Sequence, residues 1–158
     1  MRVGIGFDVH PFADGRPLVL GGVRFEGERG LAGHSDADVV AHAVAEALLG
    51  AAGLGDLGTH FPDTDPQWAD ADSIELLAAT AHRLGEAGWR TGNVDCSVVL
   101  EAPRLAPHRA EMEARLSAAA GGPVSVKATR PEQLGALGRG EGVACLAVAL
   151  VLPAAARP

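Results

Sequence analysis

The stretch RVGIGFDVH, residues 2–10, decides how the chain is interpreted, because it combines a strand pattern with a polar end. Apolar residues recur at every second position from Val3 to Val9, which is the spacing of a half-buried β-strand. Asp8 and His10 lie two residues apart at the end of the stretch, so an extended backbone places them on the same side. The stretch therefore predicts an N-terminal strand that presents a carboxylate and an imidazole together.

The rest of the chain predicts strands and helices in an irregular order. The first predicted elements are a hairpin over 18–25 and a helix over 36–52, which is capped by Asp36 or Ser35 and carries His42. A long loop over 53–68 follows, and then a helix that starts with a capping box at Asp72–Glu75 and stops at Gly88. The last elements are a strand over 94–100, a helix around 107–119, a strand over 124–128 and a final strand over 143–152. No repeating βαβ unit occurs, which favours an α+β fold: a mixed sheet of about four strands plus the N-terminal hairpin, with helices packed on one face. The final strand is apolar on nearly every residue, so we expect both of its faces to be covered, and in so small a domain one cover can be another subunit.

Length and composition narrow the class of protein. At 158 residues, 47% of them hydrophobic, the chain has the size of one compact domain, which we expect to span residues 1–158. No apolar run approaches the ~20 residues of a membrane span, and the N-terminus lacks a basic and then apolar leader, so we expect a cytoplasmic protein without a membrane partner. The net charge of −7 argues against nucleic acid as a partner. Cys96 and Cys145 lie in apolar segments and are interpreted as core residues.

Asp8, His10 and His42 form the candidate metal site. A carboxylate and two imidazoles are a known catalytic zinc set, in which the fourth tetrahedral position stays open. For Asp8 and His10, the alternative to a metal site is that they form the polar end of a strand and are simply solvated. For His42, from its spacing alone, a buried histidine bonded to a carbonyl is an equally good interpretation. The three residues predict a metal centre only if the fold brings them together.

Three further segments carry polar side chains suited to phosphates or hydroxyls. Residues 33–36, GHSD, place an imidazole and a hydroxyl near a predicted helix N-terminus, which is a natural anion site; helix capping explains Ser35 and Asp36 equally well, but not His34. Carboxylates in the long loop could bind sugar hydroxyls or a cation, or could simply be solvated. The segment 127–142 combines a hydroxyl, a carboxylate and two guanidiniums around glycines, which suits phosphates and a divalent ion; a structural turn is the competing explanation.

These segments together resemble one known enzyme family. GFDVHPF, GHSDADVVAHA, EALLGAAGLGDLGTHFPDTDP, GNVD, EAPRLAPH, KAT, GRGEG and ACLAVAL occur in the order and spacing of the 2-C-methyl-D-erythritol 2,4-cyclodiphosphate synthases, over nearly the whole chain. The resemblance implies a lyase of non-mevalonate isoprenoid synthesis that cyclises a cytidine-diphosphate-linked substrate and releases CMP. It also implies a homotrimer whose sheets surround a central channel, with active sites between neighbouring subunits.

The resemblance also implies roles for individual residues. It makes Asp8, His10 and His42 zinc ligands, Glu132 the ligand of a second ion (Mg²⁺ or Mn²⁺), and His34 the group that stabilises charge during transfer. Arg130, which departs from the family pattern, is the second candidate catalytic residue. The positions that resemble substrate contacts are Asp8, Val9, His10, His34, Ser35, Asp56, Leu57, Gly58, Phe61, Pro62, Asp63, Thr64 and Asp65, then Leu100, Glu101, Ala102, Pro103, Arg104, Leu105 and Ala106 for the cytidine, and Thr129, Arg130, Pro131, Glu132 and Arg139 for the phosphates.

The chain departs from the family pattern at a few positions. Arg130 stands where relatives commonly carry a threonine that contacts the transferring phosphate, and we hypothesise that its guanidinium supplies a charge-assisted bond there. Ala136 replaces a phenylalanine of several relatives at the central channel, which argues against an isoprenoid diphosphate as channel ligand. Two other classes of function compete: a zinc-dependent phosphatase or nucleotidase that uses water as nucleophile, and a non-catalytic trimeric module that binds nucleotides or isoprenoid diphosphates.

Overall fold

A five-stranded mixed sheet forms the centre of the protein, and helices pack on one of its faces. The computed structural model describes residues 1–154. The elements are β1 Arg2–Ala13, β2 Leu18–Leu20, β3 Val23–Phe25, β4 Gly30–Leu31, α1 Val39–Ala52, α2 Leu57–His60, a 3₁₀ turn at Pro66–Trp68, α3 Ser73–Glu86, β5 Trp89–Val99, α4 Arg109–Ala120, β6 Val124–Thr129, α5 Gly135–Gly138 and β7 Gly142–Pro153. The strand order is β4-β1-β7-β5-β6, and only β5 and β6 run parallel. The predicted α+β fold with its separate hairpin, β2 and β3, is confirmed.

Two glycines of β1 allow α1 to lie directly on the strand. A Cβ atom at Gly4 would lie 2.2 Å from the backbone oxygen of Ala47, and a Cβ atom at Gly6 would lie 2.0 Å from that of Ala43. Neither position therefore accepts a side chain while α1 stays where it is. This close approach brings α1, whose first turn carries His42, against the strand that carries Asp8 and His10.

The apolar side of β1 faces away from the helices, which the sequence did not predict. Val3, Ile5 and Phe7 are 67%, 69% and 55% exposed within the chain, because the glycine side of the strand is the one that α1 covers. Across the β1–β7 ladder Phe7 pairs with Leu146 and Ile5 pairs with Val148, and both partners are exposed as well. The two strands thus share one uncovered apolar face, a feature that marks interaction surfaces.

The helix α1 begins at a different residue from the one expected. Asp38, not Asp36 or Ser35, caps it, and the Asp38 side chain accepts hydrogen bonds from the backbone N–H groups of Val40 and Ala41. The same buried carboxylate also accepts from the N–H groups of Gly21 and Gly22 at 2.8 and 2.6 Å. Asp38 is therefore the residue that joins the hairpin to α1, because backbone donors from both elements satisfy its buried carboxylate.

Other boundaries need smaller corrections. The segment 53–68 is not one loop: Asp56 caps the short helix α2 and Asp65 caps the 3₁₀ turn. The sheet has five strands and not four, since β4 pairs with the end of β1 beyond the predicted strand. The predicted cap Asp72 does begin α3, with its side chain accepting from the N–H of Ile74 at 2.8 Å. Within residues 1–154, none of the helices is long and apolar enough to cross a membrane.

We predict that Gly6→Ala destabilises the fold and displaces the helix that carries His42. The new methyl group would meet backbone and not a flexible side chain, so α1 must shift, at a cost of about 3 kcal/mol in the free energy of unfolding. Gly85→Ala is the matched control, because a Cβ atom at Gly85 in α3 meets nothing within 4 Å. That change should be neutral or stabilising by up to about 1 kcal/mol. Equal unfolding midpoints of Gly6→Ala and wild type in urea would contradict the close-packing argument.

Candidate metal centre and substrate cavity

Asp8, His10 and His42 meet at the contact between β1 and α1. Asp8 and His10 continue the row of Gly4 and Gly6 on the helix-covered side of the strand, as their spacing predicted. Asp8 Oδ2 lies 3.0 Å from His10 Nε2 and 2.9 Å from His42 Nδ1, and one atom from each residue lies within 4.8 Å of the others. Among residues 1–154 these three form the one group of this kind that could hold a metal ion.

Each histidine ring is held by an oxygen on its far side. His10 Nδ1 lies 2.6 Å from the carbonyl oxygen of Ala32, and since a carbonyl only accepts, that nitrogen carries the proton. Neutral His10 consequently turns the lone pair of Nε2 toward the Asp8 carboxylate. His42 Nε2 is held in turn by the hydroxyl of Ser73 at 2.8 Å. Two ring nitrogens thus face one carboxylate oxygen, where either a ring proton or a metal ion can lie, and the donor set fits a divalent metal.

The pKa values of the strand residues reflect the same convergence. Burial alone would raise the pKa of Asp8, but hydrogen bonds with His10 and then His42 outweigh it and hold the pKa well below its usual range. The hydrogen bond with Asp8 raises the pKa of His10, against the opposing effect of burial. In the metal-free protein, Asp8 therefore stays ionised and stabilises a proton on His10.

A cavity of about 530 Å³ opens beside the three residues. Predicted substrate-contact residues that line it, besides the triad itself, are His34, Ser35, Leu57, Gly58, Phe61 and Asp63. Trp68 and Leu76 also line it and were not predicted. The Trp68 ring meets Phe61 edge-on at 5.1 Å between centroids, so the two aromatics form one apolar wall. The sequence did offer a signal for Trp68 as a cavity residue, because it is a tryptophan in an otherwise polar, glycine-rich loop.

Arg16, also not predicted, holds the loop that carries His34. Its guanidinium donates to the carbonyl oxygen of Gly33 at 2.6 Å and to that of Ser35. Two bonds from one planar group fix the backbone on both sides of His34. Arg16 therefore orients the loop from behind, without lining the cavity itself.

The other predicted loop positions are occupied by local contacts. Asp56 accepts from the N–H and the hydroxyl of Thr59 at 2.7 and 2.6 Å, and the Thr59 hydroxyl is the main cause that lowers the pKa of Asp56. The Asp65 carboxylate accepts from Gln67, and its backbone oxygen lies 3.2 Å from His34 Nε2. Asp56, Pro62, Thr64 and Asp65 do not line the cavity.

The predicted residues in segments 100–106 and 129–139 form a second group, which within one chain lies apart from Asp8, His10 and His42. None of 100–106 or 129–139 lines the first cavity. Glu101, Ala102 and Arg139 line a separate one of about 250 Å³. The two segments of this group are joined by the hydrogen bond from Leu100 N to the Thr129 oxygen at 3.2 Å. Leu100 and Leu105 bury their side chains in the core and leave only backbone groups for a ligand.

Glu101 anchors the segment that carries Arg130 and Glu132. The Arg130 guanidinium donates to Glu101 Oε1, and the N–H of Gln133 donates to Oε2 at 3.3 Å. Glu132 and Gln133 both have positive φ angles, 52° and 64°, a backbone conformation that costs non-glycine residues free energy. Such a segment persists only when neighbours hold it, and Glu101 is one that does.

Comparison with known proteins gives one consistent family. The YgbB family model matches residues 1–152. The 2-C-methyl-D-erythritol 2,4-cyclodiphosphate synthase of Salinibacter ruber is 56% identical over 154 residues, which are 96% of this chain and 98% of that protein. The bifunctional enzyme IspD/IspF of Anaeromyxobacter dehalogenans is 56% identical over 158 residues, but the match covers only 41% of its length. The chain thus spans about two-fifths of such bifunctional relatives.

Solved structures agree with the sequence comparison. The bifunctional IspDF of Campylobacter jejuni superposes with a TM-score of 0.90 at 40% identity, over 95% of this chain and 42% of that chain. A CDP complex of IspF from Plasmodium falciparum superposes with a TM-score of 0.83 at 28% identity, over 97% and 96% of the two chains.

We predict that the affinity of the triad for zinc falls as the pH is lowered through the raised pKa of His10. A metal ion binds only the deprotonated ring, and Asp8 stabilises the competing proton, so protons should displace the metal at a higher pH than an unperturbed histidine would allow. Zinc affinity measured by chelator competition across the pH range should rise with pH and then level off. His82→Ala, at an exposed histidine, is the control and should leave the dependence of zinc affinity on pH unchanged. A wild-type zinc affinity that does not change with pH would contradict the prediction.

Proposed function

This chain belongs to the YgbB family, and we propose that it acts as a 2-C-methyl-D-erythritol 2,4-cyclodiphosphate synthase. The proposed reaction converts 4-diphosphocytidyl-2-C-methyl-D-erythritol 2-phosphate to the 2,4-cyclodiphosphate, with release of CMP. The observation that carries the proposal is the convergence of Asp8, His10 and His42 on the wall of a cavity large enough for the substrate's non-nucleotide part. A cytoplasmic location and a single domain over 1–158 remain predictions from the sequence.

Asp8, His10 and His42 would hold zinc, and Glu132 would hold Mg²⁺ or Mn²⁺. When bound, these ions withdraw charge from the diphosphate and from the departing CMP. The choice of zinc rests on the ligand set, since one carboxylate and two imidazoles are typical of catalytic zinc sites.

The residues around the triad would orient the substrate for an internal reaction. An oxygen of the substrate's 2-phosphate forms a bond to the β-phosphorus, while the bond between that phosphorus and the CMP oxygen breaks and CMP leaves with the electron pair. The attacking oxygen belongs to the substrate, so no protein nucleophile is needed. His34 and Ser35, which line the cavity, would donate to phosphate oxygens, and the Phe61–Trp68 wall would exclude water that could otherwise attack.

The proposed site is completed by a neighbouring subunit. The positions proposed for cytidine and phosphates, 100–106 and 129–139, lie at a cavity of their own in the single chain, so a second copy would have to bring its group to the triad of the first. The uncovered apolar face of β1 and β7 supports assembly, and a homotrimer with these faces around a central channel is the arrangement we propose. CDP bound in the Plasmodium falciparum relative supports a cytidine diphosphate as the ligand class.

Arg130 is proposed to contact the transferring phosphate in place of Glu101, with which it pairs in the structure. Its guanidinium pairs with Glu101, and the Arg130 side chain is 61% exposed, although the Glu101 side chain is only 17% exposed. A phosphate could replace Glu101 as the partner of Arg130, because Glu101 would keep the hydrogen bond from the N–H of Gln133. Arg130→Thr restores the residue type that relatives commonly carry; unchanged turnover and substrate affinity in this variant would exclude the proposed role.

We predict CMP and the cyclic diphosphate as the only products when the protein is incubated with its cytidine-diphospho substrate, zinc and magnesium. His42→Ala should lower CMP release by more than about 100-fold, because a lost metal ligand should cost at least as much as a lost outer-shell partner. His82→Ala, on an exposed histidine outside the site, should keep wild-type activity. Product analysis by phosphorus NMR decides between functions: inorganic phosphate would support a phosphatase, and bound ligand without product would support a binding module.

A further inference from the structure

The buried hydroxyl that holds the metal ligand His42 is itself part of a longer chain of hydrogen bonds. Ser73, the first residue of α3, is 1% exposed, and its Oγ lies 2.8 Å from His42 Nε2. On its other side the same Oγ meets Asp36 Oδ1. Asp36, Ser73 and His42 therefore form a continuous chain of hydrogen bonds that ends at the metal centre.

The chemistry of these groups fixes the direction of each proton in this chain. The Asp36 carboxylate accepts, so the single proton of the Ser73 hydroxyl is donated to it. The Ser73 oxygen is then left as an acceptor for His42, whose Nε2 must carry the ring proton. His42 Nδ1, which faces Asp8 Oδ2 at 2.9 Å, consequently offers a lone pair.

The carboxylate at the far end of the chain is itself held in place. Asp36 accepts from the N–H of Ser73 at 3.1 Å and from the N–H of Asp38 at 3.1 Å. These two backbone bonds keep its carboxylate beside the Ser73 hydroxyl. The side-chain cap of α3 is a different residue, Asp72, so the Ser73 hydroxyl is not needed to start that helix.

We propose that Ser73, held by Asp36, is a positioning residue that keeps His42 in the tautomer in which Nδ1 can bind the metal. An unrestrained neutral imidazole distributes its proton between both nitrogens, and protonation at Nδ1 would compete with the metal. Ser35 Oγ also approaches His42 Nε2, but at 3.2 Å, and it already accepts from the N–H of Ala37. Ser73 is thus the nearer acceptor of the two. The inference rests on the metal site of the proposed function.

The test measures zinc affinity by chelator competition on the full chain, without substrate. Ser73→Ala should bind zinc about 10- to 100-fold more weakly than wild type, the usual effect of removing an outer-shell partner. Asp36→Ala should weaken binding in the same direction, and the double variant should be no weaker than the more affected single variant, because both changes interrupt one chain. Ser35→Ala should have the smaller effect of the two serine changes.

Asp72→Ala is the control for damage to α3. It removes the cap of the same helix one residue away but leaves the His42 contact intact, so its zinc affinity should equal that of wild type. Nitrogen NMR of the His42 ring, in metal-free protein at a pH where the ring is neutral, gives a second readout. Wild type should show the proton on Nε2, and Ser73→Ala should show a mixture of tautomers.

The outcomes separate this inference from the proposed function. If wild type binds no zinc, the metal site itself is wrong. If wild type binds zinc and a folded Ser73→Ala binds it equally well, or shows the same ring tautomer, the positioning role is wrong while the metal site stands. If Asp72→Ala weakens binding as much as Ser73→Ala, the effect comes from the helix start and the inference is overturned.

Discussion

The close contact between α1 and the glycine side of β1 is the constraint on which the rest of the structure depends. Backbone atoms of the helix occupy the space where side chains of Gly4 and Gly6 would lie, so the helix sits unusually near the strand. The same row of the strand continues into Asp8 and His10, and the same helix carries His42. Because the elements touch backbone to backbone, three side chains with short reach can share one cation.

This constraint also determines which face of the sheet is left for a partner. With its glycine side covered by α1, the strand turns Val3, Ile5 and Phe7 outward, next to Leu146 and Val148 of β7. An apolar face on one chain is unfavourable in water and is stabilised by burial against other copies. In the assembly we propose, the packing that builds the metal centre therefore also creates the surface that brings a second subunit, with its Glu101 and Glu132, to that centre.

Much of the fold was predictable because its signals are local. The two-residue period of β1, the Gly21-Gly22 hairpin and the cap at Asp72 each depend on neighbours in sequence, and each is found. Asp38 was missed because half of its hydrogen-bond donors come from the hairpin, 16 and 17 residues away. The outward direction of the apolar row was missed for a similar reason: periodicity identifies two sides of a strand but not which side a helix will cover.

For the site, the sequence identified the ligand types, and the structure adds their surroundings. Spacing placed Asp8 and His10 on one side, but only the fold brings His42 to them. Ser73, Asp36 and Arg16 act through other residues; sequence patterns identified Asp36 only as a candidate helix cap, and none indicated that these residues hold His42 or its surroundings. The central claim is that Asp8, His10 and His42 share one metal ion, and anomalous diffraction from zinc-soaked crystals tests it most directly. We predict a single strong peak about 2.0–2.2 Å from an Asp8 carboxylate oxygen, His10 Nε2 and His42 Nδ1; a peak elsewhere, or His42 bound through Nε2, would contradict the account.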